Sequence, residues 1–134
     1  MAGSSPKNFR AILLQQRADQ LRLRVRTSDA IDFELDALLI QQYRAQAREL
    51  GDRDLELHII GIEAQLHLVT GRTEDGLSIL NEGIGFALAW ELRERWVDFK
   101  TALARAYSDQ GDYAAAQTID AELRSVLMES VATS

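Results

Sequence analysis

At 134 residues with a net charge of −6, the chain has the length of one domain with one hydrophobic core. It holds no cysteine, which excludes disulfide frameworks, thiolate metal sites and cysteine nucleophiles and fits a reducing, cytoplasmic setting. Its only proline is Pro6, so no proline interrupts a helix between Lys7 and Ser134.

The opening segment carries Lys7, Arg10, Arg17 and Asp19 around a short apolar run and lacks the uninterrupted core of a signal peptide. It is also strongly basic: residues 1–28 sum to +5, which leaves −11 for residues 29–134. Acidic neighbours within the same fold are the first explanation for this asymmetry, ahead of an acidic partner or a nucleic acid. Thr27, Ser28 and Asp29 end the first predicted helix. Gly51 followed by Asp52, and Gly111 followed by Asp112, each read as a helix-ending glycine followed by an N-cap. Gly71 marks a further boundary, with Thr73 as N-cap and Glu74 and Asp75 in the first turn. The apolar pattern resets once more near Leu92 to Glu94 without a glycine. Six helices follow, at about 8–26, 30–50, 53–70, 74–91, 95–110 and 113–129. The purest apolar stretch, from Ile84 to Trp90, is much shorter than the roughly 20 residues of a membrane span. Short loops between long helices predict an all-α chain of three antiparallel helical hairpins at about 8–50, 52–91 and 93–130. They form one domain over 1–134, with 1–7 and 131–134 as flexible ends.

Sliding the sequence against itself reveals a period of about 40 residues. Gly71 falls on Gly111, Ile59 on Phe99, Ala64 on Ala104 and His67 on Tyr107; further back, Ile40 falls on Leu80 and Ala47 on Ala87. The third copy contains Leu103, Ala104, Tyr107, Gly111, Tyr113 and Ala116 in the order small, aromatic, glycine, aromatic, alanine after a leucine. It resembles the tetratricopeptide repeat. The second copy keeps Ala64, Gly71 and Gly76 but has Glu63 for the leucine and His67 for the aromatic. The long period and the run Ala-Arg-Glu-Leu-Gly-Asp at 47–52 are similar to the extended repeats of bacterial signalling regulators of the maltose-activator type. The resemblance implies a short right-handed solenoid in which the first helix of each hairpin lines a concave face.

No residue pattern points to catalysis. His58 and His67 lie nine apart, about half a turn out of phase on a helix, and no glutamate-bracketed zinc pair is present. His67 reads as the groove-filling aromatic, whereas His58 is free to meet a ligand. Gly76, Gly83 and Gly85 read as close-packing points, and Asp52, Asp54, Glu56, Glu91 and Glu94 as solvated carboxylates at helix starts. The expectation is therefore no enzyme, no cofactor and no metal. The resemblance nominates Arg22, His58, Ile62, Gln65, Asp98, Thr101 and Arg105 as partner-binding residues, flanked by Leu21, Val25, Gly61, Leu68 and Asp109. The expected function is that of a protein- or peptide-binding adapter or regulatory module, with a small effector as a further possible ligand. Two alternatives stay open: nucleic-acid binding through Arg10, Arg17 and Arg24, which recur every seven residues, and self-association through Leu13, Leu14 and Leu21 or Ile119, Leu123 and Leu127.

Overall fold

The computed structural model describes residues 6–28 and 30–133, and among them every regular element is helical. The helices are α1 (Pro6–Thr27), α2 (Phe33–Leu50), α3 (Arg53–Val69), α4 (Thr73–Ala89), α5 (Arg93–Asp109) and α6 (Tyr113–Thr133). None is long and apolar enough to cross a membrane. Of the expected flexible ends, residues 1–5 and 134 lie outside the described residues, while 6–7 and 131–133 continue α1 and α6.

From α2 onward the helices begin every twenty residues, at Phe33, Arg53, Thr73, Arg93 and Tyr113. The hairpin period of 40 is thus two copies of a single helix-and-turn unit. What keeps the spacing constant is one repeated turn. Gly51, Gly71 and Gly111 adopt left-handed backbone with φ of 71°, 82° and 84°. The amide of the following residue then reaches the carbonyl five positions back: Asp52 to Ala47 (3.1 Å), Arg72 to His67 (2.8 Å) and Asp112 to Tyr107 (2.9 Å). This closes the helix end by satisfying carbonyls left without intrahelical partners. Asp52 and Asp112 then cap the next helix, their carboxylates accepting from the amides of Leu55 (3.0 Å) and Ala115 (3.2 Å).

The boundary without a glycine uses the same turn. Leu92 donates to the Ala87 carbonyl at 2.9 Å, and Glu91 takes the left-handed position with φ 58°. The break lies at Glu91, just before the expected 92–94. A side chain at this φ crowds its own backbone, costing about 1–2 kcal/mol, of which glycine's greater unfolded-state freedom returns part. Glu91→Gly is therefore expected to stabilise the chain by about 1 kcal/mol in urea denaturation; an unchanged midpoint would mean that Glu91 makes compensating contacts.

Two other boundaries differ from expectation. The cap of α2 is Asp32, which accepts from the Leu35 amide at 3.2 Å; of the expected 27–29 boundary, Thr27 ends α1 and Asp29 lies outside the described residues. Here the connection is longer, and Ser28 and Ala30 both have positive φ. Thr73 is the first residue of α4 rather than its cap, because the first helical bond runs from the Gly76 amide to the Arg72 carbonyl (3.0 Å).

The chain divides into two compact units, Met1–Ile79 and Leu80–Ser134, the division falling within α4. In the first, α1 and α2 pack on each other and on α3. Leu14, Ala18, Leu21 and Val25 of α1 meet Ile40 and Ala47 of α2 and Leu55, Ile59, Ile62 and Leu66 of α3. Leu57, Ile60 and Ala64, on the opposite side of α3, are also fully buried, so this helix is covered on two faces and carries no single apolar stripe. Gly76 of α4 approaches here: a β-carbon on it would lie 2.7 Å from the Leu68 side chain and 3.3 Å from the Ala64 carbonyl. In the second unit α5 packs on α6, burying Phe99, Leu103, Ala104, Ala116 and Ile119.

Burial corrects several surface expectations. Leu14, Leu21 and Ile119, read as exposed ends, lie in the interior, and Leu13 and Leu123 are half-buried; Leu127 alone of that set is exposed, at 54%. On α1 the outward apolar residues are instead Phe9, Ile12 and Leu23.

Candidate functional site

The first unit is laced by polar contacts between its helices. Glu63, on α3 amid Ile59, Ile60, Ile62, Ala64 and Leu66, is buried, and both carboxylate oxygens are met from α2: Gln41 donates at 2.6 Å and Arg44 at 2.8 Å. Glu56 is also buried and accepts from Arg48 at 3.4 Å. Between α1 and α2, Arg24 pairs with Asp36, whose side chain is only 2% exposed. These carboxylates are not the solvated helix-start charges that the sequence suggests for Glu56. Each sits at an interhelical contact, where an opposite charge offsets the loss of water; for Glu63 hydrogen bonds reach both oxygens, whereas the second oxygen of Asp36 has no hydrogen-bond partner.

His58 belongs to the same framework. Its Nε2–H donates to Asp19 of α1 at 3.0 Å, Gln15 donates to the same oxygen at 3.0 Å, and the imidazole is 12% exposed. It ties α3 to α1 and is not the free ligand group expected. His67 packs edge-on against Phe33 of α2 at 5.1 Å between ring centroids, and its Nδ1–H donates to the Glu63 carbonyl at 2.9 Å. The Arg72 guanidinium covers Phe33 at 3.4 Å from the ring centroid, a cation–π contact.

The structure separates the remaining nominated residues into inner and outer groups. Ile62, Leu21 and Val25 are core residues, exposed by 3% or less, and offer no surface to a partner. Arg22 on α1 and Gln65 on α3 are exposed. In the second unit Asp98, Thr101 and Arg105 form an exposed row along α5, continued by Glu94 and Asp109, on the side away from Phe99 and Leu103. Asp98 pairs weakly with Arg95 at 3.8 Å, and the Thr101 hydroxyl donates to the Val97 carbonyl at 2.8 Å. Arg93 and Lys100, elsewhere on α5, reach α6, donating to the Val126 carbonyl (2.9 Å) and Glu122 (2.8 Å).

A cavity of about 280 Å³ opens between α1 and α2, lined by Arg10, Leu13, Leu14, Arg17, Gln46, Glu49 and Leu50. The sequence marked Arg10 and Arg17 only as part of a basic stripe; that the stripe faces α2 follows from Arg24 reaching Asp36. Among the described residues no group of three or more histidine, aspartate or glutamate side chains is arranged to hold a metal ion. Comparison of the chain with protein-family models, curated proteins and solved structures finds no match.

Proposed function

We propose that this chain is a non-catalytic protein- or peptide-binding module of the tetratricopeptide-like kind. The observation that carries the reading is the exposed row Asp98, Thr101 and Arg105 on α5. It combines a carboxylate, a hydroxyl and a guanidinium at three- and four-residue spacing, backed by a helix pair that fixes their positions. Gln65 gives α3 an exposed polar position of the same type. Such side chains suit recognition: an arginine offers several hydrogen-bond donors in a planar fork, and a rigid helix reduces the ordering cost of binding.

Photocrosslinking tests the reading directly. A benzoylphenylalanine placed at Thr101 is expected to give a discrete adduct in native lysate, absent when the same group stands at Gln117, an exposed position on α6, and lost when Arg105→Glu is added. Equal labelling from both positions, or none from Thr101, would overturn the assignment of the α5 row.

A further inference from the structure

Arg10, Arg17 and Arg24 recur every seven residues along α1, and of the three only Arg24 forms an ion pair with a carboxylate of α2. Arg24 pairs with Asp36. Arg10 and Arg17 make no ion pair among the described residues, and they line the cavity over a floor of Leu13, Leu14 and Leu50. Gln46 and Glu49 form the α2 wall. We infer that this α1–α2 groove docks an acidic amphipathic helix of a partner protein, whose carboxylates do for Arg10 and Arg17 what Asp36 does for Arg24.

The geometry specifies that helix. Seven residues at 1.5 Å rise place the two arginines about 10 Å apart along α1, the spacing of two glutamates seven apart on a helix laid alongside. Between them, at three and four spacing, the partner presents apolar side chains to the half-buried Leu13 and Leu50. Charge selects this occupant over a second copy of the same surface: α1 carries six basic residues against Asp19 alone, so two such helices repel each other, while an acidic helix is attracted and its carboxylates form charge-assisted hydrogen bonds. Glu49 is the one opposing group in the lining; it disfavours a partner acidic all round and favours one acidic along a single edge. The groove is separate from the α5 row, so either surface can fail its test without the other.

The test uses the full chain and two fluorescein-labelled helical peptides of leucine and alanine, one with glutamate at two positions seven apart and its twin with glutamine there. Anisotropy is expected to show saturable binding of the glutamate peptide, weaker by about tenfold for the twin and by about tenfold for Arg10→Glu/Arg17→Glu. Glu49→Gln is expected to tighten binding by about threefold, a gain that misfolding cannot produce. Both arginines are exposed, so circular dichroism of the double variant should match the parent; if it does not, the peptide pair and Glu49→Gln still decide. Equal affinity for both peptides, or no effect of any of the three substitutions, overturns the proposal. So does binding of a duplex oligonucleotide in place of the peptide, or a concentration-dependent dimer in sedimentation that the double variant dissociates.

Discussion

Replacing Arg44 with alanine is expected to lower stability by about 3–5 kcal/mol. The reason lies in the partner left behind. Glu63 has a side chain 9% exposed, and Arg44, itself only 15% exposed, supplies the opposing charge at 2.8 Å. Without Arg44, Gln41 still donates to the other carboxylate oxygen, but a neutral amide does not balance a charge withdrawn from water. The double replacement Arg44→Leu/Glu63→Leu is expected to recover most of the loss, because removing both charges also removes their desolvation cost. Urea denaturation followed by circular dichroism measures both variants. A loss below about 1 kcal/mol for Arg44→Ala would show that water reaches Glu63 and that the pair behaves as a surface ion pair.

The second large effect separates two glycines on one helix. A β-carbon on Gly83 would lie 2.5–2.8 Å from three ring carbons of Phe99, and Phe99 is itself buried at 4% exposure. Gly83→Ala is therefore expected to cost about 1–3 kcal/mol, since the ring must shift within packed surroundings. A β-carbon on Gly85, two residues on, would meet no neighbour within 4 Å. Gly85→Ala is expected to stabilise the chain by about 0.5–1 kcal/mol through helix propensity and lost unfolded-state entropy. Thermal denaturation of the two variants should move in opposite directions; a shift of the same sign in both would mean that α4 and α5 are not in contact at Gly83.

These glycines illustrate what a residue type conveys and what it withholds. All three of Gly76, Gly83 and Gly85 suggest close packing, yet only Gly76 and Gly83 meet a neighbour. The repeat register fares better where geometry matters more than chemistry. Glu63 stands at the position held by Leu103 in the third copy, and both are buried, one satisfied by packing and the other by Arg44 and Gln41. An acidic residue at a leucine position of the repeat, in a helix with two apolar faces, is the one signal from which the Glu63 pair could have been read. Asp36 gave no comparable sign, because a carboxylate in the first turn of a helix is ordinarily solvated and favoured there by the helix dipole. The resemblance to the tetratricopeptide repeat nominated Gln65, Asp98, Thr101 and Arg105, which are exposed; it gave no sign of the burial of Ile62 or of the tethering of His58 to Asp19.

The sequence by itself determined the six helices and most of their ends, because helix length, the left-handed turn at Gly51, Gly71 and Gly111, and the caps at Asp52 and Asp112 are local properties of a few adjacent residues. Only the tertiary structure decided which face of each helix is covered. That choice depends on residues distant in the chain: α3 is buried on two sides, so its apolar pattern has no preferred direction, and the α1 arginines acquire different roles according to what α2 places opposite them, Asp36 for Arg24 and an open groove for Arg10 and Arg17.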